Sequence, residues 1–148
     1  MNNSIYTPKV VISPIENSVI IAPDKTVVII SSAGMQGASG GLRLLSLVSA
    51  TSYAPDIDNF DQINFTALAS NLSLLNPVTT PQDGQKLLIR ILDNGISQGL
   101  TLASGAGGYR AIGVVIPANT VASKEVVIGC IYNAQANFWD VVALVQQQ

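Results

Sequence analysis

Short apolar runs separated by turn residues dominate the pattern of hydrophobic and polar positions in this chain. Three such runs, each rich in Val and Ile, fall within residues 10–30. Farther along, the stretch "DQINFTAL" alternates Ile63, Phe65 and Ala67 with polar residues, which is the pattern of a strand buried on one side. Almost nothing has the period of a long amphipathic helix, so the pattern predicts an all-β fold.

The turn residues between these runs predict how the strands connect. "QKLLIRILDNGISQGLTLAS" is predicted to form a hairpin in which Asp93, Asn94 and Gly95 make the turn. "YRAIGVVIP" and "KEVVIGCIYN" are predicted to pair next, and "NAQANFWDVVALV" to form a further hairpin. Strands that recur at this spacing indicate a sandwich or a barrel.

A Gly-rich stretch, "AGMQGASGG", separates the opening runs from the rest of the chain. Its glycines predict a flexible hinge at residues 34–41, with a vestigial collagen-like stalk as the alternative. The predicted organisation is therefore an N-terminal arm of short strands at residues 1–33, the hinge, and a β-sandwich domain at residues 42–148.

The arm is predicted to anchor the protein to another surface. Three short strands bury little apolar area by themselves, and exposed strand edges invite pairing with another chain. The alternative is that the three strands fold back onto their own domain. The candidate anchoring residues are Val10, Val11, Ile12, Val19, Ile20, Ile21, Val27, Val28, Ile29 and Ile30.

Composition excludes several classes of function. Of the 148 residues, 48% are hydrophobic and only 11% are charged, which indicates that part of the surface faces another subunit. The net charge of −2, without a basic run, argues against nucleic-acid binding. No apolar run approaches the roughly 18 to 20 residues that span a bilayer, so we expect no membrane insertion. The sequence has no His, which removes the commonest general base and metal ligand.

Clustered carboxylates are the main candidate for metal or acid–base chemistry. Asp56, Asp58 and Asp61 lie close together in "PDIDNFD" and could hold calcium, but the stretch lacks the Gly and terminal Glu of a calcium loop. The same three residues are what a carboxylate-only glycan hydrolase would have to use. We expect a solvated loop here, with no metal, no cofactor and no catalytic residue.

Cys130, the one cysteine, excludes an internal disulfide and fits synthesis in a reducing cytoplasm. Alternation places it on the same strand face as Val126, Ile128 and Tyr132, which predicts a buried thiol. Without a nearby activating group, it is a poor nucleophile.

Arg90, Arg110 and Trp139 are candidate inter-subunit residues. Lys86 and Arg90 share one strand face, which is either solvent-facing or paired with carboxylates such as Asp93 or Asp140 across a subunit boundary. Arg110 lies among small and apolar residues and is expected to have a fixed charged partner. Trp139 is expected in a core or an interface, with a sugar-stacking platform as the alternative.

From Asp83 onward the chain resembles a module of tailed-bacteriophage virion proteins. The resemblance rests on "TPQDGQKLLIRILDNG", "YRAIGVVIP" and "TVASKEVVIGCIYNAQANFWDVVAL", which recur in this order, and residues 56–77 fit the upstream half. The chain departs from the family at "LTLASGAGG", where members often have Leu-Thr-Trp-Gly. The N-terminal part is similar to the virion-facing ends of phage fibre and decoration proteins.

The resemblance implies an all-β, jelly-roll-like β-sandwich, assembled as a homotrimer on the virion surface and without enzymatic activity. It implies phage capsid or tail proteins as partners and synthesis in the cytoplasm of the bacterial host. The shortness of the Gly-rich stalk favours a capsid decoration (cement) or short head-fibre protein. The alternative is a tail-fibre or receptor-binding module that contacts the host surface.

Overall fold

The computed structural model describes residues 11–12, 18–21, 28–31 and 43–147. The chain divides into two compact units, Met1–Ser39 and Gly40–Gln148. The described residues form strands and no helix, which places them in the all-β class. The predicted hinge at residues 34–41 and the candidate anchoring residues Val10 and Val27 lie outside the described residues.

The first unit contains a three-stranded antiparallel sheet made from the three opening apolar runs. Its strands are β1 (Val11–Ile12), β2 (Ser18–Ile21) and β3 (Val28–Ser31). β2 is the central strand, since Ile20 is opposite Val11 on one side and Ile29 on the other. The three runs thus pair with one another.

The second unit contains two sheets. The larger has six strands in the order β10-β12-β11-β8-β6-β4, and the smaller has three in the order β5-β7-β9. The strands of the larger sheet are β4 (Leu44–Leu47), β6 (Gln62–Leu68), β8 (Lys86–Asp93), β10 (Tyr109–Ala111), β11 (Glu125–Asn133) and β12 (Phe138–Gln146). Those of the smaller sheet are β5 (Ser52–Tyr53), β7 (Leu72–Leu74) and β9 (Leu100–Leu102).

Successive strands from β4 to β9 alternate between these two sheets. Each pairs in parallel with the strand two places along, so that β4, β6 and β8 are neighbours in one sheet and β5, β7 and β9 in the other. The chain thus winds through three turns of a flattened coil. β11 and β12 then pair antiparallel and continue the larger sheet beyond β8.

Two of the predicted strand pairings are wrong. β8 and β9 do not form a hairpin, because after Asp93 the chain crosses to the other sheet and β9 pairs with β7. The Asp93 carboxylate fixes this crossing by accepting hydrogen bonds from Gly95 N (3.0 Å), Ser123 N (2.7 Å) and Thr120 Oγ1 (2.7 Å).

The second error concerns β10, which pairs in parallel with β12 and not with β11. Tyr109 on β10 is opposite Trp139 on β12. The hairpin predicted between β11 and β12 is confirmed, with Asn133 opposite Phe138 at its closed end.

One buried cluster receives side chains from both sheets of the second unit. Tyr53 of the smaller sheet and Phe65 of the larger make a T-shaped contact, with ring centroids 5.9 Å apart. Cys130 is buried with the other inward residues of β11, as the alternation predicts. In β6 a shift of register after Phe65 turns Leu68, and not the predicted Ala67, fully into the core.

Candidate interaction surface

The outer face of the six-stranded sheet is set by the alternation of side chains along its strands. In β8, the residues Leu87, Ile89 and Ile91 are buried in the core, so Leu88 and Leu92 point outward. β11 follows the same rule. Its inward residues Val126, Ile128, Cys130 and Tyr132 are buried, and its outward residues are Glu125, Val127, Gly129, Ile131 and Asn133.

The strand register aligns these outward residues in rows across the sheet. One row runs through Leu44, Gln62, Leu88, Gly129 and Ala143. The next row runs through Ser46, Asn64, Arg90, Val127 and Val145. We call the part of this face on β8, β11 and β12 the outer apolar face, formed by Leu88, Val127, Gly129, Ile131, Val142, Ala143 and Val145.

A groove of about 650 Å³ lies on the outer apolar face. Leu88, Ile131 and Val142 line it, and Gly129 gives it an open floor because this residue has no side chain. A β-bulge beside Gly129 leaves Val142 as an extra residue in β12, exposed next to the groove. Asp61 and Lys86 also line the groove, so the recess has charged as well as apolar side chains around it.

Arg90 lies on the same outward side, opposite Val127, and is paired within the chain. Its Nε and Nη2 donate to the two carboxylate oxygens of Glu125 on β11, both at 2.9 Å. This bidentate geometry is the preferred one for Arg and a carboxylate. The partner is thus Glu125 and not either of the carboxylates considered from the sequence.

Arg110 has the fixed partner that its apolar surroundings predict, and that partner is Asp140. Arg110 Nε donates to Asp140 Oδ1 at 2.9 Å, and Asn133 Nδ2 donates to Asp140 Oδ2 at 3.3 Å. The guanidinium also lies 5.1 Å from the centre of the Phe138 ring, within the range of a cation–π contact. All of these contacts are made within one chain.

Trp139 is completely buried, as a core position requires. Its ring packs against Tyr132 with centroids 5.3 Å apart. No face of the indole is open to solvent, so the geometry gives no support to the sugar-stacking alternative. Cys130 lies in the same core, where burial raises the pKa of its thiol to about 12 and keeps it protonated.

The three clustered carboxylates have separate partners. Arg43 Nε donates to Asp61 Oδ2 at 2.8 Å, and this hydrogen bond lowers the pKa of the Asp61 carboxyl. Asp56 instead accepts a hydrogen bond from Asn59 Nδ2 at 2.8 Å, and Asp58 is exposed. Across the part of the chain that the structure describes, no group of three or more His, Cys, Asp or Glu residues is arranged to hold a metal.

The outer apolar face was not predicted from the sequence, although the sequence contains a signal of it. "VVIGCI" has no polar side chain, and "KLLIRIL" has Leu88 and Leu92 at outward positions between the charged residues Lys86 and Arg90. Strands covered on one side should alternate, and near-continuous apolar runs indicate strands covered on both. In these strands the inward positions form the core, and the outward apolar positions form the outer apolar face.

Comparisons with known proteins add no identification: no protein-family model and no curated protein matches this chain. Among the described residues there is no helix long and apolar enough to cross a membrane.

Proposed function

We propose that this chain is a non-enzymatic structural protein of a bacteriophage virion, a capsid decoration (cement) or short head-fibre protein. In this proposal residues 1–33 dock on the particle and the second unit covers or projects from its surface. The observation that carries the proposal is the sheet of β1, β2 and β3, which belongs to a compact unit of its own.

The small sheet supports docking because, among the described residues, the backbone groups on the outer edges of its strands have no neighbouring strand to pair with. β1 has two residues, and β2 and β3 have four each. A sheet of this size is only marginally stable in water unless other structure packs against it. Within the described residues β1 and β3 each pair on one side only, which leaves backbone groups for strand addition by a capsid or tail protein.

For the second unit we propose a two-layer β-sandwich. The shared core between the larger and smaller sheets supports it, since sandwiches bury the inner faces of two sheets against each other. The strand order differs from that of a jelly roll, which is built from antiparallel strands. Here five strand pairs of the second unit are parallel and two are antiparallel.

We also propose that the chain has no catalytic activity, and two side chains support this. Cys130 is held as a buried, protonated thiol, and the ion pair with Arg43 lowers the pKa of Asp61. A buried protonated thiol is a poor nucleophile, and a carboxylate with a lowered pKa is a weak general base. The proposed assembly is a homotrimer on the particle surface, made in the cytoplasm of the bacterial host.

The receptor-binding alternative is a tail-fibre module that touches the host surface. The resemblance covers this class as well, but the burial of Trp139 removes the aromatic side chain that suggested a glycan contact. The short Gly-rich stretch at residues 34–41 also supports a position close to the particle and not at the tip of a long fibre.

The test is decoration of phage particles that lack this protein. Ile20→Pro places a proline in the central strand of the small sheet, where it removes a backbone donor. We expect Ile20→Pro to abolish decoration, as should a chain that begins at Gly41. Ile20→Val is the matched control and should decorate like the wild type.

Because the proposed attachment is mainly apolar and backbone-mediated, decoration should persist at high salt, which screens exposed charges. Circular dichroism checks that each variant keeps its second unit. If the Ile20→Pro protein or the chain from Gly41 decorates particles as well as the wild type, the docking surface is not the small sheet.

A further inference from the structure

We infer that Asn94 is a site of spontaneous deamidation, and that Asp93 sets the rate by holding the backbone amide of Gly95. The closed turn after β8 slows the reaction, and local opening of this turn permits it. The inference goes beyond the proposed function and does not depend on it, because it concerns the covalent stability of the second unit and not attachment to a particle.

The dipeptide Asn94-Gly95 supplies the reacting groups. Deamidation of an asparagine begins when the backbone nitrogen of the next residue attacks the side-chain carbonyl carbon. A following glycine hinders this attack least, because it has no side chain and leaves the backbone free to rotate. Asn94-Gly95 is the one Asn-Gly pair in the sequence. Both residues are exposed in the turn after β8, so water and hydroxide reach them.

The reaction balances with water as the co-reactant. The Gly95 nitrogen loses its proton and bonds to Cγ of Asn94, the bond from Cγ to the side-chain nitrogen breaks, and ammonia leaves. Water then opens the resulting succinimide ring at either of its carbonyl carbons. Opening at Cγ leaves an aspartate, and opening at the main-chain carbonyl leaves an isoaspartate, whose backbone runs through the former side chain. Nothing is oxidised or reduced.

The hydrogen bond from Gly95 N to Asp93 Oδ1, 3.0 Å long, opposes the first step. It holds the proton that the nitrogen must lose, and the negative carboxylate disfavours a second negative charge beside it. Asp93 is itself fixed, since it is only 4% exposed and also accepts hydrogen bonds from Ser123 N and Thr120 Oγ1. The acceptor therefore stays in place while the fold is intact.

Asp93 is also charged under the conditions that favour the reaction. Burial works to raise the pKa of its carboxyl, but the hydrogen bonds that it accepts lower this pKa overall. The carboxylate is therefore ionised at neutral and basic pH, where a backbone amide loses its proton most easily. Asn94 N donates to Leu68 O at 3.1 Å, which anchors the same turn to β6. The Gly95 nitrogen is released only by local opening, as in amide hydrogen exchange.

Formation of isoaspartate at residue 94 would remove this restraint permanently. It adds one carbon to the main chain between Asp93 and Gly95, which shifts the Gly95 amide relative to the carboxylate that holds it. The crossing from β8 to β9 begins at this turn. We therefore expect modified chains to unfold at a lower temperature than unmodified ones.

The test follows deamidation of the full-length protein at pH 8, in native buffer and in guanidinium chloride. Brief digestion at acidic pH, where the reaction is slow, prepares peptides for mass spectrometry. Fragment ions then assign the change to Asn94 and separate it from Gln98. We expect the wild type to react about ten-fold or more faster in guanidinium than in native buffer, as the loss of a charge-assisted hydrogen bond implies.

Asp93→Ala removes the acceptor and should raise the rate in native buffer about ten-fold over the wild type. Thr120→Val is the matched control, because it removes another hydrogen bond to Asp93 and leaves Gly95 N paired. Guanidinium titration gives the unfolded fraction of each variant. After correction for reaction through unfolded chains, Thr120→Val should react like the wild type. Asp93→Asn keeps one acceptor oxygen without the charge, and it should react at an intermediate rate even if Asp93→Ala fails to fold.

Three results would overturn the inference. Absence of any change at Asn94 in guanidinium shows that the dipeptide is not reactive. Equal rates for the wild type in native buffer and in guanidinium show that the fold gives no protection. Folded Asp93 variants that react no faster than Thr120→Val, after the same correction, show that the protection does not come from Asp93. None of these results bears on particle docking, which Ile20→Pro tests separately.

Discussion

Arg110 on β10 lies directly opposite Asp140 on β12, and Arg110 Nη2 is 2.7 Å from Asp140 Oδ1. β10 has three residues and forms one edge of the larger sheet. The ion pair therefore joins a short edge strand to the hairpin strand beside it. Its position on the outer side of the sheet leaves it partly in solvent, with 39% of the Arg110 side chain exposed.

A double-mutant cycle should give this pair a small coupling energy. We expect Arg110→Ala, Asp140→Ala and the double variant to yield about 0.2–1 kcal/mol, because solvent reaches the Arg110 side of the pair and screens it. Urea unfolding measures it. Arg110→Lys is the control that keeps the charge and loses the planar contact with Phe138. A coupling energy of several kcal/mol would show that the pair is desolvated, as it would be if another chain covered it.

Replacing Trp139 by Ala should lower the free energy of unfolding by about 3–5 kcal/mol, the range for a large buried aromatic side chain. The reason is complete burial in the core against Tyr132. Thermal and urea unfolding measure the loss. Trp139→Phe keeps an aromatic ring in the core and should cost less. Equal stability of Trp139→Ala and wild type would contradict the core position.

Asp93 should make the second unit sensitive to acid. Burial alone would raise the pKa of this carboxyl, but the hydrogen bonds from Thr120, Ser123 and Gly95 together lower it below its ordinary value. A lowered pKa in the folded state means that the carboxylate stabilises the fold fully above the unfolded pKa of about 3.9. The stabilisation is lost as the pH falls through the folded pKa.

Asp93→Asn should accordingly lower the free energy of unfolding at neutral pH by about 1–3 kcal/mol, since an amide keeps one acceptor oxygen but loses the charge and the oxygen that accepts from Thr120 Oγ1. The difference from wild type should shrink as the pH is lowered below about 4. Asp58→Asn changes an exposed carboxylate and serves as the control. A difference between Asp93→Asn and wild type that stays constant with pH would argue against a lowered pKa for Asp93.

Cys130 should resist alkylation in the folded protein. With a pKa of about 12 and almost no exposed surface, the thiol is neither ionised nor reachable at pH 8. Labelling with iodoacetamide should be slow in native buffer and rapid in guanidinium. Mass spectrometry follows the reaction. Because the sequence has one cysteine, a single adduct reports the result. Rapid labelling under native conditions would place the thiol at the surface.

Sequence patterns predicted what depends on near neighbours in the chain. Alternation in β11 correctly placed Cys130 in the core, and the short turn after Asn133 correctly gave the β11–β12 hairpin. The turn after Asp93 was misread because its direction is decided by Thr120 and Ser123, which come much later in the chain. A local Asn-Gly signal cannot contain that information.

The same distinction between local and long-range information applies to the candidate surface residues. Arg110 was expected to have a partner, and Asp140 supplies it, but only the register of β10 against β12 brings the two together. The apolar runs of β8 and β11 hint at a second apolar side, but only the register aligns the outward residues of three strands into the outer apolar face. The anchoring role of the small sheet stays a prediction, because it concerns a surface outside this chain.

The winding of β4 to β9 has a consequence for the order in which the second unit forms. Leu44 pairs with Gln62, and Leu72 with Leu100, so each turn of the coil must close a long loop before it gains any contact. The β11–β12 hairpin closes through a short turn and forms more readily. Folding should therefore start from the C-terminal hairpin and proceed backwards along the chain, with β4 added last. A ribosome releases the chain in the opposite order, so we expect the early coil strands to gain stable pairing only after the last strands have been made.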